Sequence, residues 1–314
     1  MEQIKVTFIT TVFNEEKTID SFLYSLKNQT VKPDEIIITD GGSTDNTLNK
    51  LKMWANSDTK LKIFTGKKVN IAEGRNIAIK HSTNDIIAVS DAGCIIEEDW
   101  LENILKPFHD KNIDVVSGWY TYEKNSTFNN AIAKIIEIPL WLINKQKFLP
   151  SSRSIAVKKI CWEKVNGYPE NLKYAAEDTL FAKRLKSAGC NFYFQPTAIV
   201  RWLLPNSHKE LYSKFFNYAY GDAEIRHNVR YYLTISFIFL IVLVFIPFIF
   251  ESWIITILFI LLIIMYTYSP IILKGISLKH VSFTELMYIF SCKITIILAS
   301  IFGFNKGLIK KHEI

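Results

Sequence analysis

Short apolar runs and amphipathic stretches alternate along the first 120 residues. The amphipathic stretches repeat apolar residues at intervals of three and four, as Ile19, Phe22, Leu23 and Leu26 do. The apolar runs are too short for helices, and they predict strands at residues 5–12, 35–39, 61–65, 86–90 and 115–118. This alternation predicts an α/β fold with a mostly parallel sheet.

The pattern changes in the last third of the chain, where long apolar stretches cover residues 232–250, 253–273 and 286–304. The first two are long enough to span a bilayer as helices. The third carries Lys293 near its middle, which is costly unless the charge is paired or faces protein. We therefore predict an α/β domain over 1–205, an amphipathic interfacial segment over 206–231, and a membrane domain over 232–314 with two or three apolar helices.

Residues 127–149 are also strongly apolar and contain Pro139, which predicts a kinked helix. Two interpretations remain open for this stretch. It is either a helix of the core, which we favour slightly, or a helix at the membrane interface with Trp141 near the lipid headgroups.

The charge of the chain supports a membrane partner. The formal net charge is +7, and residues 271–314 hold six Lys against two Glu. Basic residues beside apolar stretches favour an anionic membrane face over nucleic acid. Lys and Arg residues that flank membrane spans favour the cytoplasmic side, so the α/β domain beside Arg226, Arg230 and Lys274 is expected in the cytoplasm. The third apolar stretch would then re-enter the membrane or lie in its interface. The four cysteines form no C-x-x-C pair, which fits free thiols in a reducing compartment.

Acidic residues follow two of the predicted strands. Asp40 precedes Gly41-Gly42, and Asp91 precedes Ala92-Gly93. In open α/β sheets the carboxyl ends of strands line the ligand crevice, although an Asp there can also simply form a turn. The chain lacks a G-x-G-x-x-G loop after its first strand and a P-loop, so acidic strand ends are the candidate nucleotide site. Glu177 and Asp178 open a predicted helix, where helix capping is the plainer interpretation.

These motifs, in this order, resemble those of family 2 glycosyltransferases with the GT-A fold. The resemblance covers roughly the first 200 residues, and it implies a mixed, mostly parallel sheet flanked by helices. Its motifs are the run from Val6 to Glu15, the turn Thr39-Asp40-Gly41-Gly42-Ser43-Thr44-Asp45, Gly74-Arg75-Asn76, Ser90-Asp91-Ala92-Gly93 and Glu177-Asp178.

The resemblance implies a role for each matched residue. Thr11 and Glu15 would lie at the nucleotide-base pocket, Asp40 would bind the base, and Arg75 would lie near the phosphates. Asp91 would contact ribose and help to hold Mg²⁺ or Mn²⁺, but Gly93 occupies the position of the second acid of the D-x-D motif. His208 is an outside candidate for an added ligand, although a surface histidine is the more common case.

The resemblance also implies the reaction. Asp178 would be the catalytic base, with Glu177 orienting or tuning it, and the reaction would invert the anomeric carbon. The donor would be a nucleotide-diphospho-sugar and the acceptor a hydroxyl of a lipid-linked or membrane-proximal glycan of the cell envelope. Arg201-Trp202 lacks the Gln of the processive Q-x-x-R-W motif, which favours single-sugar transfer. A processive synthase and a catalytically silent membrane scaffold remain alternatives, whereas the small number of apolar stretches argues against a transporter.

Overall fold

The computed structural model describes residues 4–249, 253–276 and 281–310, which fall into two compact units. The first unit comprises Met1–Tyr122, Asn144–Asn171 and Glu177–Leu203. The second comprises Glu123–Ile143, Leu172–Ala176 and Leu204–Ile314. The predicted boundary at 205 lies close to Leu203, but two shorter segments from earlier in the chain belong to the second unit.

The core of the first unit is an eight-stranded mixed sheet with the order β3-β2-β1-β4-β7-β6-β8-β5. Strands β1 to β4 pair in parallel, whereas β4 with β7, β7 with β6, and β5 with β8 are antiparallel. The sheet is therefore mixed as predicted, but it is less parallel than expected. The strands are Val6–Val12 (β1), Glu35–Asp40 (β2), Leu61–Thr65 (β3), Ile86–Val89 (β4), Cys94–Ile96 (β5), Val115–Glu123 (β6), Ile155–Lys158 (β7) and Phe192–Leu203 (β8).

Helices cover this sheet and bury its apolar side chains. Those of the first unit are Ile19–Lys27 (α1), Thr47–Ser57 (α2), Ile71–His81 (α3), Trp100–Leu105 (α4), Lys159–Lys164 (α6) and Glu177–Ser187 (α7). Strand β8 was not predicted, because Pro196 interrupts it and polar and apolar residues do not alternate regularly along it.

The second unit is helical. Its helices are Thr127–Ile136 (α5), His208–Glu224 (α8), Val229–Ile249 (α9), Trp253–Leu273 (α10) and Phe283–Lys310 (α11). Helix α5 ends before Pro139, and only a short 3₁₀ turn at Leu140–Leu142 follows, so the single kinked helix predicted over 127–149 is wrong. Gly221 lies inside α8, where a Cβ would come 2.4 Å from the carbonyl oxygen of Ala175.

Helix α11 packs closely against α8. A Cβ on Gly303 would lie 2.3 Å from the carbonyl oxygen of Phe216, and one on Gly307 would lie 2.7 Å from that of Tyr220. The two glycines are four residues apart, as in the G-x-x-x-G pattern that lets helix backbones approach each other. The apolar face of α11 is therefore partly covered by protein.

Among the described residues, α11 is the helix with the length and apolar composition to cross a membrane, over Phe283–Ile309. Shorter apolar helical stretches lie at Val229–Val244 and Ile260–Leu273. The stretch expected to be the imperfect span is thus the strongest candidate by these criteria, and several full spans are not confirmed. Residues 250–252 and 277–280, which join the predicted apolar stretches, lie outside the described residues.

Candidate active site

The carboxyl ends of β1, β2 and β4 lie side by side at one edge of the sheet. Val12 is in register with Asp40, and Ile9 is in register with Val89, two residues before Asp91. Since neighbouring strands are about 4.8 Å apart, Asp40 and Asp91 are separated by roughly 10 Å across this edge. The structure therefore brings both strand-end acids to one edge, but it does not place them in direct contact.

Asp40 is buried, and its carboxylate accepts hydrogen bonds from the turn that follows it. The donors are the backbone N–H of Gly42 at 3.2 Å and the backbone N–H and hydroxyl of Ser43 at 3.1 and 2.5 Å. Gly42 has φ +94°, a conformation that glycine adopts without strain, and this lets the turn fold back over the carboxylate.

The loop after β1 joins this turn. The N–H of Asn14 donates to the Ser43 hydroxyl at 2.9 Å, and the Asn14 side chain accepts from the N–H of Thr44 at 2.8 Å. Glu15 is held in the same loop by the bond from its N–H to the Thr47 hydroxyl at 2.8 Å. The loop that carries Glu15 is therefore bonded to the turn that follows Asp40.

Thr11 lies beneath the start of α3. A Cβ on Gly74 would lie 2.4 Å from Cγ2 of Thr11, so only glycine allows this approach of helix and strand. Asn70 and Glu73 form a capping box at the N-terminus of α3, which fixes the first turn of the helix. The glycine before Arg75 thus allows the start of α3 to lie close to β1.

Arg75 bridges two carboxylates that are far apart in the sequence. Its Nη2 is 2.6 Å from Oδ1 of Asp91, and its Nη1 is 2.6 Å from Oε1 of Glu177. The arginine is 1% exposed, and its guanidinium carbon lies 5.2 Å from the centre of the Tyr168 ring. The predicted contact of Arg75 with a phosphate stays a prediction, since both nitrogens are bonded to protein carboxylates.

Burial and neighbouring charges shift the pKa values of these residues. Burial alone would lower the pKa of Arg75, but Asp91 and Glu177 outweigh it and raise the pKa, so the guanidinium stays protonated. Burial raises the pKa of Glu177, and the nearby Asp178 adds to this, while Arg75 opposes it. Burial likewise raises the pKa of Tyr168 to about 12, which keeps the phenol neutral.

Asp178 is the more accessible member of the acidic pair at the start of α7. Its Oδ2 accepts from the Ser151 hydroxyl at 3.1 Å, and its Oδ1 accepts from the N–H of Thr179 at 2.6 Å. The side chain is half-buried, whereas Glu177 is 7% exposed. Asp178 is thus held in one orientation and is open to a reacting partner.

Two neighbours of these residues were not predicted to belong to the site. Tyr168 stacks on Phe181 with ring centres 3.9 Å apart, and its hydroxyl is 3.0 Å from that of Ser152. Neither Tyr168 nor Ser152 belongs to a motif on which the resemblance rests. Their positions depend on contacts between distant segments, for which a single sequence holds no local signal.

The described residues offer little to a metal ion besides Asp91. Within the described residues, no group of three His, Cys, Asp or Glu side chains is arranged to hold a metal ion. Asp91 is 30% exposed in its side chain and uses one oxygen for Arg75. A Cβ on Gly93 would meet no atom within 4 Å, so that position opens onto free space. His208 belongs to the second unit and contacts the Thr295 hydroxyl at 3.0 Å.

Comparison with known proteins supports the resemblance found in the sequence. A protein-family model described as "Glycosyl transferase family 2" matches residues 7–164, half of the chain. The O-antigen chain rhamnosyltransferase RfbN of Salmonella typhimurium is 24% identical over 228 residues, which cover 68% of this chain and 71% of that protein. The cholesterol galactosyltransferase of Borreliella burgdorferi is 29% identical over 123 residues, which cover 39% of this chain and 34% of that protein. The match thus spans about a third of the length of this second relative.

Solved structures share the fold at low identity. The mannosyltransferase PcManGT from Pyrobaculum calidifontis, in complex with GDP-Man and Mn²⁺, aligns with a TM-score of 0.56 and 20% identity over 71% of this chain and 63% of that one. TarS 1–349 of S. aureus, in complex with UDP-GlcNAc, aligns with a TM-score of 0.53 and 19% identity over 69% of this chain and 66% of that one. These matches confirm the predicted GT-A fold.

Proposed function

Because the chain belongs to glycosyl transferase family 2, we propose that it transfers a sugar from a nucleotide-diphospho-sugar to an acceptor hydroxyl near a membrane. The observation that carries this proposal is the bridge from Asp91 through Arg75 to Glu177, beside Asp178. The bridge joins the strand-end acid proposed to face the donor with the acidic pair proposed to act on the acceptor. The predicted enzyme class, a glycosyltransferase, is that of the family and of the relatives.

In the proposed reaction Asp178 takes the proton of the acceptor hydroxyl while that oxygen attacks the anomeric carbon. The new carbon–oxygen bond forms as the bond to the diphosphate breaks, and the nucleoside diphosphate leaves with the electron pair. Attack from the side opposite the leaving group inverts the anomeric carbon. The bonds from Ser151 and Thr179 fix the carboxylate, which general base catalysis requires.

The same geometry supports a positioning role for Glu177 and Arg75. Glu177 is buried and bonded to Arg75, so it is less suited than Asp178 to receive a proton from an acceptor. Arg75 fixes the separation between Asp91 and the start of α7, because its planar fork reaches both carboxylates. We propose that this bridge keeps the donor and acceptor groups at a constant distance.

The charges of this group of residues support a divalent cation in the donor complex. When Arg75, Asp91, Glu177 and Asp178 are all ionised, three negative charges and one positive charge lie together. This net negative charge would repel a diphosphate. Bound Mg²⁺ or Mn²⁺ would neutralise the departing diphosphate. Asp91 would supply the protein ligand, since Gly93 has no oxygen-bearing side chain. Thr11, Glu15 and Asp40, on the neighbouring strands and loops, are the proposed nucleotide-binding residues.

We infer a membrane-proximal acceptor from the apolar helices of the second unit and from the names of the relatives. One relative is named for transfer to the O-antigen chain and another for transfer to cholesterol. We propose that the chain is attached to the cell membrane through its apolar helices, with the first unit in the cytoplasm. A lipid-linked glycan is the acceptor class that fits this attachment.

One observation favours a second candidate, a catalytically silent scaffold with this fold. Gly93 removes the second acid of the D-x-D motif, so this chain lacks a common ligand for the donor's metal. A scaffold would retain nucleotide binding, or lose it, without transferring sugar.

The decisive experiment compares the natural protein with Asp178→Asn. Purified protein is incubated with a panel of nucleotide sugars and membrane lipid extract, and released nucleoside diphosphate is measured. We expect transfer to fall roughly 100-fold or more in Asp178→Asn, with nucleotide binding nearly unchanged, because only the proton acceptor is lost.

Asp99→Asn is the matched control, since Asp99 is exposed and makes no side-chain cap bond. Full activity of Asp178→Asn would refute the assignment of the base. Absence of transfer with every donor, in protein that still binds nucleotide, would favour the scaffold.

A further inference from the structure

Large apolar side chains are exposed in the segment that follows α5. Trp141 is 69% exposed, and Ile138, Leu140 and Leu142 are between 45% and 47% exposed. Four such residues within five positions form a continuous apolar patch, which we call the 138–142 wedge. Isolated exposed apolar residues are ordinary, whereas a patch of this kind marks a contact with a partner or a membrane. The interpretation of this segment as part of a core helix is therefore wrong.

The structure places this wedge beside the end of α10. A Cβ on Gly275, two residues after the last residue of α10, would lie 3.9 Å from the Trp141 ring. The ammonium of Lys274 donates to the carbonyl oxygen of Ile135 at 3.0 Å, which ties the end of α5 to the same point. Both contacts lie within the second unit, so the wedge and the end of α10 form one local surface.

Helix α10 itself presents apolar side chains outward. It has 21 residues and is about 31 Å long, close to the thickness of the hydrocarbon core of a bilayer. Large hydrophobic residues are exposed along the length of the helix, from Trp253 at its start through Ile264 to Leu273 at its end. If α10 lies in a bilayer, its end at Leu273 and the adjacent wedge reach the level of the headgroups together.

The charge beside the wedge favours an anionic lipid surface over a second protein. Lys274 follows α10 directly and belongs to the same unit as Trp141, whereas Lys124 is paired with Glu137 at 3.6 Å and adds no net charge. Tryptophan and lysine together are typical of the membrane interface, where the indole lies among headgroups and the ammonium pairs with phosphate.

We propose that the 138–142 wedge inserts into the interface of an anionic phospholipid bilayer, at the leaflet where α10 ends. The inference rests on the membrane attachment in the proposed function and adds a second point of contact to it. Trp141 and its apolar neighbours then occupy the depth between headgroups and acyl chains, and the ammonium of Lys274 contacts lipid phosphates. The second unit is thereby held at a defined depth in the leaflet.

The test measures the depth of a nitroxide probe in full-length protein in vesicles of phosphatidylcholine and phosphatidylglycerol. The probe is attached to Leu142→Cys, and the four native cysteines, all buried, react little with the labelling reagent. Collision rates with oxygen, which partitions into lipid, are compared with those of a water-soluble nickel chelate. Met53→Cys, 72% exposed on α2, serves as the aqueous control, and Ile264→Cys, near the middle of α10, serves as the lipid control.

We expect the nickel collision rate at position 142 to be at least about threefold lower than at position 53, with a raised oxygen rate. Trp141→Ser in the Leu142→Cys protein should move the nickel rate back toward that at position 53. Equal nickel rates at 142 and 53, with 264 in lipid, would overturn the wedge alone. Protection of 142 from both reagents would show a protein contact and also overturn it. Nickel access at 264 would instead refute the membrane attachment in the proposed function.

Discussion

The guanidinium of Arg75 neutralises two buried or half-buried carboxylates at once, so its removal affects both folding and chemistry. In Arg75→Gln, Asp91 and Glu177 lose their counter-charge in a place where water cannot replace it fully. We expect a loss of about 3–5 kcal/mol in the free energy of unfolding, together with loss of transfer. Arg75→Lys keeps the charge but cannot reach both carboxylates with a planar fork, and it should rescue stability better than activity.

Urea unfolding and a transfer assay on the same preparations measure these two effects. Lys50→Gln is the matched control, because its pair with Asp20 is partly exposed and contributes at most about 1 kcal/mol. If Arg75→Gln were as stable as the control, the bridge would have no structural role.

Gly93 allows the missing acid of the D-x-D motif to be restored. A side chain at this position meets no atom within 4 Å, and the backbone there has no positive φ that would disfavour one. We expect Gly93→Asp to bind Mn²⁺ roughly tenfold more tightly, because a second carboxylate adds charge and an oxygen ligand. Calorimetric titration with Mn²⁺ and nucleoside diphosphate measures this.

Gly93→Asn is the control, since it has nearly the same shape without the charge. Equal Mn²⁺ affinity in Gly93→Asp and Gly93→Asn would contradict the assignment of Asp91 as the neighbouring ligand.

At the scale of the elements, Glu35 joins the amino-terminal ends of three strands. Its carboxylate accepts from the Thr7 hydroxyl of β1 at 2.7 Å, from the ammonium of Lys62 of β3 at 2.6 Å, and from the N–H of Thr83 before β4 at 2.9 Å. Burial alone would raise the pKa of Glu35, but the bonds from Lys62, Thr83 and Thr7 outweigh it and lower the pKa to about 2.

A lowered pKa in the folded state means that Glu35 stabilises the fold above its ordinary pKa near 4.5 and loses this effect as the pH falls toward 2. We expect Glu35→Gln to reduce the free energy of unfolding by about 2 kcal/mol at pH 7, and by much less at pH 3. Urea unfolding at both pH values measures this difference. Glu163→Gln, at an exposed position, is the control, and a Glu35→Gln loss that did not shrink with pH would refute the explanation.

The contact between α8 and α11 depends on the absence of side chains at Gly303 and Gly307. In Gly303→Leu the side chain would collide with the backbone of Phe216, and the two helices would have to separate. We expect a loss of about 2 kcal/mol or more in the stability of the second unit. Thermal unfolding in detergent measures it, and Phe302→Leu, at a half-exposed neighbouring position, is the control. Equal melting temperatures for both variants would show that the close approach is not needed.

The sequence could predict the elements whose signals are local. The runs that form β1 to β4 are continuous and apolar, and each strand-end acid follows its run directly, so Asp40 and Asp91 were predicted to lie at one edge. The pair Glu177-Asp178 was predicted to begin a helix from a signal that is also local, because carboxylates are favoured at a helix N-terminus.

Features that depend on tertiary contacts could not be predicted. Gly221 and Gly303 serve packing between helices, which a single chain does not reveal, and the carboxylate partners of Arg75 lie 16 and 102 residues away from it. The segment 138–142 is apolar in sequence whether it is buried or exposed, so only its surroundings in the structure could decide between the two interpretations.

For the whole molecule, the important feature is that the chain passes between the two units five times, after Tyr122, Ile143, Asn171, Ala176 and Leu203. Neither unit can therefore be obtained by truncating the chain at a single position. A water-soluble fragment ending near residue 205 would retain Glu123–Ile143 and Leu172–Ala176 but would lack α11, against which α5 packs. Detergent extraction of the intact polypeptide, and not truncation, is consequently the route to homogeneous material for enzymology.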